Sequence, residues 1–237
     1  MTTLFISDLH LDDRRPETTG LLMQFLQAEA SGADALYILG DLFEYWLGDD
    51  VPSQCTDQVA TALSALADKG MPCYFMHGNR DFLLRKSYAE QAGMKLLPEE
   101  AVVDLYGEQV LLMHGDSLCT DDTPYQQFRT LVRNPAWQDD FLNKTPQERL
   151  QVAMQARDAS AEHKGNVDMG IMDVNQGEVV AAFERHGVQK MIHGHTHRPA
   201  THELEANGRP AQRIVLGDWY TQSSVLRVSP GKYELQA

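Results

Sequence analysis

Short apolar runs alternate with amphipathic segments along the first third of the chain. Residues 3–7, Ala35–Leu39 and Cys73–Met76 form runs of strand length that carry no charge, which is typical of strands buried on both faces. The segments between them, 17–30 and 58–69, place apolar residues at helical spacing. This alternation predicts βαβ units that build a parallel sheet with helices packed on it.

The second half of the chain adds turn signals that favour antiparallel strands. The pattern predicts helices at 81–91 and 174–186 and a strand at 190–192. It also predicts three hairpins, one joining 102–105 to 109–113 and two turning at Asn207-Gly208 and Pro230-Gly231. An α/β fold that mixes parallel and antiparallel sheet is therefore expected.

One segment stands apart from this pattern. Residues 121–168 contain no strand signal, and three prolines divide a helix-favouring composition: Pro124, Pro135 and Pro146. We interpret the segment as a helical cap inserted in a core made of residues 1–120 and 169–237. The cap would cover any site that is formed at the strand ends.

Polar side chains follow five of the predicted strands at the point where each strand ends, usually beside a glycine. Ligands of open α/β sheets bind outside the carboxyl ends of the strands, and glycine lets the backbone approach a ligand closely. A single aspartate or histidine there is more often a turn former, but five such ends together favour a shared site. The residues concerned are Asp8, His10, Asp41, Asn79, His114, His195 and His197.

These seven side chains offer oxygen and imidazole ligands without thiolate. Such a set suits divalent ions of intermediate hardness, such as Mn²⁺, Fe²⁺ or Zn²⁺. Seven ligands exceed what one ion needs and fit two ions, with Asp41 placed to bridge them. Two neighbouring ions can activate a water molecule and stabilise an in-line displacement at phosphorus.

Composition limits the classes of partner and the cellular location that are expected. The formal net charge is −14, so a nucleic-acid backbone, which needs a basic patch, is not expected as a partner. No run of apolar residues reaches the length of a membrane span, and the first residues do not resemble a signal peptide. Three cysteines without metal-ligand spacing favour reduced thiols in a cytosolic protein.

The strand-end motifs, in their order, resemble those of the calcineurin-like metallophosphoesterases. The resemblance rests on D-x-H at Asp8, G-D-x-x-E at Gly40, G-N-R-D at Gly78, H-G-D at His114 and G-H-x-H at Gly194. It implies a four-layer αββα sandwich with a two-metal centre. Longer segments, among them LYILGDLFEYWLGDD, HGNRDFL, LLMHGDSLCTDD, IMDVNQ and IHGHTHRPA, resemble one branch, the UDP-2,3-diacylglucosamine hydrolases of lipid A biosynthesis.

The resemblance implies roles for individual residues. It implies two manganese ions, one held by Asp8, His10, Asp41 and His197 and the other by Asp41, Asn79, His114 and His195. It implies substrate contacts at Asn79, Arg80, Asp122, Ser160 and His195. We expect the catalytic residues to be Asn79, Arg80, His114 and His195.

The reaction implied is attack of water on the α-phosphorus of UDP-2,3-diacylglucosamine, which yields UMP and 2,3-diacylglucosamine 1-phosphate. Arg80 supports a diphosphate substrate on chemical grounds. Many relatives carry a histidine there, which can protonate an alkoxide leaving group, whereas arginine stays charged and binds phosphate oxygens bidentately. A diphosphate needs no such acid, because its leaving group is itself a phosphate with a second pKa of about 6.

The lipid substrate implies peripheral contact with the cytoplasmic face of the inner membrane, and we predict no protein partner. Residues 137–168 carry Lys144, Arg149, Arg157 and Lys164 against six acidic side chains, so a basic membrane-docking surface is not expected.

Two alternatives stay open at this level. One is a generic nucleotide pyrophosphatase or phosphodiesterase that uses the same two-metal centre. The other is a scaffold that has lost its metals and uses the fold to bind partners; such a protein should have lost ligands, and here all seven are present.

Overall fold

The structure is a computed structural model that describes residues 1–166, 173–220 and 222–237, without the side chains of Ser31 and of residues 159–166. The strands are β1 (Thr3–Ile6), β2 (Ala35–Leu39), β3 (Cys73–Met76), β4 (Met94–Leu96), β5 (Glu100–Leu105), β6 (Glu108–Met113), β7 (Lys190–His193), β8 (Ala200–Ala206), β9 (Arg209–Val215), β10 (Val225–Ser229) and β11 (Lys232–Gln236). The helices are α1 (Pro16–Ala28), α2 (Gln54–Ala67), α3 (Lys86–Gln91), α4 (Thr123–Val132), α5 (Pro135–Leu142), α6 (Pro146–Asn166) and α7 (Gln176–His186).

The predicted parallel units build the first sheet. Its strand order is β11-β10-β1-β2-β3-β4, and β1 to β4 pair in parallel. The C-terminal hairpin β10–β11 adds to its edge antiparallel to β1. The carboxyl ends of β1, β2 and β3 therefore lie side by side at one edge.

The second sheet has the order β5-β6-β7-β9-β8. The predicted hairpins β5–β6 and β8–β9 are antiparallel, whereas β7 runs parallel to both β6 and β9. Parallel pairing brings the carboxyl ends of β6, β7 and β9 together, as in the first sheet.

Alternation along the strands separates two hydrophobic layers. Leu4 and Ile6 of β1 join the apolar faces of α1, α2 and α3 in one cluster. Phe5, the residue between them, joins a second cluster that includes Leu112 of β6 and Phe183 of α7. The two sheets thus pack face to face with helices on both outer sides, which confirms the predicted four-layer α/β sandwich.

Three α-helices, α4–α6, lie in the described part of the segment between β6 and α7. The prolines that interrupt its sequence pattern lie in first turns, where a missing N–H costs nothing: Pro124 in α4, Pro135 in α5 and Pro146 in α6. Buried Arg149 of α6 ties the segment to the loop after β2 through Asp50, with Nη1 and Oδ1 2.6 Å apart. The division into core and cap stays a prediction.

Two predicted helix starts were wrong by four or more residues, and one strand was missed. Helix α2 begins at Gln54, four residues early, because Ser53 and Thr56 form a capping box. Helix α3 begins only at Lys86, since the Asp81 side chain accepts backbone bonds from Leu42 and Gly78. The sequence pattern also missed β4, whose three residues are too few to show a period.

Candidate metal centre

The seven predicted ligand residues come from five strand ends, three in the first sheet and two in the second. Five of them have a left-handed backbone, with φ between 51° and 67°, a conformation that non-glycine residues rarely adopt. Strain of this kind persists only where the surrounding structure enforces it, and it is concentrated at functional sites. The five are Asp8, His10, Asp41, His195 and His197.

One group of ligand atoms is formed by Asp8, His10 and His197, whose atoms all lie within 4.8 Å of one another. Nε2 of His197 lies 3.2 Å from Nε2 of His10 and 3.3 Å from Oδ1 of Asp8. The other carboxylate oxygen of Asp8 accepts bonds from the Ser7 hydroxyl at 2.6 Å and the His195 N–H at 2.9 Å. Oδ1 is therefore held facing the imidazoles.

A second group adjoins the first. Oδ1 of Asn79 lies 2.9 Å from Nε2 of His114 and 2.8 Å from Nδ1 of His195. Asp41 stands between the groups, with Oδ2 3.7 Å from Nε2 of His10 and Oδ1 3.8 Å from Nε2 of His114. All seven side chains thus converge, with Asp41 between the two groups, and its role as a bridging ligand stays a prediction.

These separations fit bound divalent ions. Two ligand atoms that each lie about 2.1 Å from one ion are about 3–4 Å apart. Asp41 faces the two imidazoles at 3.7 and 3.8 Å, distances too long for hydrogen bonds. Both carboxylates are almost fully buried, Asp8 at 0% and Asp41 at 2% exposure, and a buried charge needs a cation or charged partner.

Oxygen atoms outside the cluster lie close to Nδ1 of three of the ligand histidines. Nδ1 of His114 lies 2.8 Å from the Leu39 carbonyl oxygen, and Nδ1 of His10 lies 3.1 Å from Oε2 of Glu44. Nδ1 of His197 lies 3.3 Å from Oδ2 of Asp218. In each case the Nε2 atom is left to point into the cluster, which is the usual arrangement of metal-binding histidine.

Asp218 was missed by sequence reasoning. It follows β9 directly after Gly217, and so repeats the pattern of a strand, a glycine and an acid that marks the other strand ends. That signal was available, but the assignment of β9 to the same sheet edge required the fold.

The convergence of these side chains lowers the pKa values of Asp8 and His195. Burial acts to raise the pKa of Asp8, but the hydrogen bond from His197 and the nearby His114 outweigh it and hold the pKa well below its usual value. Burial and the neighbouring His114 lower the pKa of His195 to about 3. The aspartate is thus kept anionic and His195 neutral, the states in which both residues bind metals.

Two glycines make the close packing possible. A Cβ on Gly78 would lie 2.1 Å from Oδ1 of Asp41, and one on Gly194 would lie 2.3 Å from Oδ2 of Asp8. No larger residue fits at either position without moving a carboxylate. These two glycines of the strand-end motifs therefore allow the backbone to lie close to the carboxylates of Asp41 and Asp8.

Arg80 lies at the edge of the cluster. Its backbone N–H donates to Oδ1 of Asp41 at 2.8 Å. Its Nε is buried and has no hydrogen-bond partner among the described residues. Burial acts to raise the pKa of Glu44, but His10, Arg80 and Arg157 outweigh it and lower that pKa to about 2, so the carboxylate is ionised.

Two further predicted substrate contacts are Asp122 and Ser160. Asp122 is buried and caps α4, its Oδ1 accepting the Tyr125 N–H at 3.1 Å. Tyr125 in turn lies against His195, with ring centroids 5.9 Å apart, and donates its hydroxyl to Asp116. The side chain of Ser160 lies outside the described residues.

Comparisons with known proteins agree with this geometry. The family model for calcineurin-like phosphoesterases matches residues 1–199. A UDP-2,3-diacylglucosamine hydrolase of Stenotrophomonas maltophilia is 57% identical, covering 99% of this chain and 98% of the relative. One of Xanthomonas axonopodis pv. citri is 55% identical, covering 96% and 95%.

Among solved structures, an archaeal phosphodiesterase matches 100% of this chain and 98% of its own length at 13% identity and a TM-score of 0.47, too weak a likeness to carry an argument. The match to the family model and the identity to the relatives identify the family. The chain belongs to the calcineurin-like phosphoesterase family and, within it, to the family of the UDP-2,3-diacylglucosamine hydrolases.

Proposed function

We propose that this protein hydrolyses the diphosphate of UDP-2,3-diacylglucosamine, giving UMP and 2,3-diacylglucosamine 1-phosphate. The name of its relatives supplies the substrate. The observation that carries the proposal is the position of Arg80, whose backbone is bonded to Asp41 while its buried Nε has no partner among the described residues. A guanidinium placed in this way is suited to a phosphate oxygen.

The family implies divalent metal ions, and we propose two manganese ions. Asp8, His10, Asp41 and His197 would hold one, and Asp41, Asn79, His114 and His195 the other. Bound there, such ions supply Lewis acidity and a nucleophilic hydroxide at neutral pH.

The chain's own residues complete the site. Arg80 binds and orients the diphosphate through its charge and its paired donors, which a lysine could not match in geometry. The amide group of Asn79 and the ring of His195, fixed 2.8 Å apart, face the same space and are proposed to contact the phosphate. No general acid is required for the leaving group, since it departs as a phosphate.

The substrate's sugar is proposed to lie on the side of α4. Asp122 at the start of that helix and Ser160 further along the chain are the proposed contacts. Exposed apolar side chains on α4 and α6 provide surface for acyl chains: Phe128 and Leu131 on α4, and Leu150 and Met154 on α6.

Hydrolysis in ¹⁸O-labelled water tests both the substrate and the point of attack. Purified protein loaded with Mn²⁺ is expected to convert UDP-2,3-diacylglucosamine to UMP that carries one ¹⁸O, with the lipid phosphate unlabelled, because water attacks the α-phosphorus. Mass spectrometry of both products gives the answer. Label in the lipid phosphate would show attack on the other phosphorus, and absence of cleavage would refute the proposed substrate.

Membrane association is expected to be weak and insensitive to salt. In the parts of the chain that the structure describes, no helix combines the length and hydropathy needed to cross a bilayer. Peripheral attachment through basic residues is also disfavoured, because the cations of α5–α6 whose side chains are described are already paired. Lys144 pairs with Asp140, Arg149 with Asp50 and Arg157 with Glu44.

Vesicle flotation measures this association at the proposed location, the cytoplasmic face of the inner membrane. The protein should float weakly with anionic vesicles at low and high salt alike, and more strongly when the vesicles contain UDP-2,3-diacylglucosamine. Strong binding that vanishes at high salt would contradict the charge argument. No binding even with the lipid substrate present would favour a soluble substrate.

A further inference from the structure

We infer that Arg15 and Tyr220 form the subsite that binds the nucleoside monophosphate half of the substrate. The inference rests on the proposed function and adds the part of the site that recognises the uridine. Neither residue belongs to the ligand set, and neither follows from the strand-end motifs.

Tyr220 is an exposed aromatic side chain at the edge of the metal centre. It is 48% exposed, although its ring lies 5.5 Å from that of His10 and 5.8 Å from that of His197. An exposed aromatic ring offers a surface on which a flat ring of a ligand can stack. Its place beside two ligand histidines points to a molecule that also reaches the metals.

Contacts of Asp218 and Trp219 anchor the backbone at Tyr220. The neighbouring Trp219 is fully buried, packs against Phe25, and donates its indole N–H to the Ser224 carbonyl at 3.0 Å. The Tyr220 N–H donates to Oδ1 of Asp218, whose other oxygen faces His197. The backbone that carries the exposed ring is therefore held in place, which reduces the ordering needed when a ligand binds.

Arg15 adds a positive charge at the same place. Its Cζ lies 5.2 Å from the Tyr220 ring centroid, and Nη2 donates to the His10 carbonyl oxygen at 2.6 Å and to Oε2 of Glu44 at 3.2 Å. The side chain is 30% exposed. Among the described residues only Nη2 is used, which leaves Nε and Nη1 as donors for a phosphate or ribose oxygen.

The residues on either side of the ligand set indicate where each half of the substrate binds. Tyr125 of α4 lies against His195, beside helices that expose Phe128 and Leu131, which suits acyl chains. Tyr220 lies against His10 and His197 of the other ligand group. A flat uracil needs an aromatic surface, and its phosphate needs a cation within a ribose's length, which this pair supplies.

Competitive inhibition by UMP and by ribose 5-phosphate tests the subsite in the Mn²⁺-loaded protein. The two probes share the ribose and the 5′-phosphate and differ at the anomeric carbon, which carries uracil in UMP and a hydroxyl in ribose 5-phosphate. Wild type should bind UMP about tenfold more tightly than ribose 5-phosphate, a typical effect of stacking one base. Tyr220→Ala should remove most of that difference while Tyr220→Phe keeps it, and Arg15→Ala should weaken both probes by a similar factor.

Arg14→Ala is the matched control, since Arg14 is the exposed neighbour of Arg15 and pairs with Asp12 away from Tyr220. It should change neither inhibition constant. An unchanged preference for UMP in Tyr220→Ala would overturn the role of the ring, and unchanged constants in Arg15→Ala would overturn that of the guanidinium. Failure of wild type to cleave UDP-2,3-diacylglucosamine is a separate result, which would refute the proposed function itself.

Discussion

Asp41→Ala and His114→Ala are each expected to lower turnover of UDP-2,3-diacylglucosamine by at least about a thousandfold, which corresponds to about 4 kcal/mol of transition-state stabilisation. Asp41 stands between the two ligand groups, 3.7 Å from His10 and 3.8 Å from His114. Its loss would leave both proposed ions short of a ligand. His114 is buried, and the contact of its Nδ1 with the Leu39 carbonyl oxygen holds Nε2 toward the cluster, so its loss would remove one proposed ligand of the second ion.

Metal content and activity should be measured together. Chelator-treated wild type is expected to lose activity and to regain it most strongly with Mn²⁺. Mass spectrometric metal analysis should find fewer ions per chain in both variants than in wild type. His202→Ala, which removes an exposed histidine of β8, is the matched control and should retain activity and metal. Full activity of the stripped protein would refute a two-metal mechanism, whereas no activity of the wild type with any divalent ion would favour the scaffold.

Arg80→His is expected to reverse the substrate preference in part. Wild type should cleave UDP-2,3-diacylglucosamine faster than p-nitrophenyl phosphate by at least about a hundredfold in kcat/KM, a difference of about 3 kcal/mol. The histidine variant should lose diphosphate hydrolysis, because the bidentate donor is gone. It should keep or gain monoester hydrolysis, because imidazole can protonate a leaving alkoxide.

Arg80→Lys separates charge from geometry. It keeps the positive charge but not the paired donors, and should therefore lose diphosphate hydrolysis without gaining monoester hydrolysis. Equal wild-type rates on the two substrates would favour the generic phosphatase. Equally fast cleavage of a soluble UDP-sugar would favour the nucleotide pyrophosphatase, since the acyl chains would then contribute nothing.

Much of the architecture follows from local sequence alone. Buried runs such as Ala35–Leu39 are recognisable because both faces of the strand are apolar, and the Asn207-Gly208 turn is recognisable because few residues adopt its backbone. The seven candidate ligands could be listed because each lies within four residues of the end of a strand, and strand ends of one sheet share an edge. The full-length relatives then confirmed the family.

Long-range packing decided what these local signals could not. That Asp218 faces His197, that Asp81 accepts from Leu42 and that Arg149 is buried against Asp50 all depend on segments far apart in the chain. The left-handed backbone at the ligands and the exposed ring of Tyr220 likewise have no periodic signature. Residue type and spacing determined which groups reach the site. The pairing of the two sheets determined which atoms face one another, because only the folded chain fixes distance and direction between them.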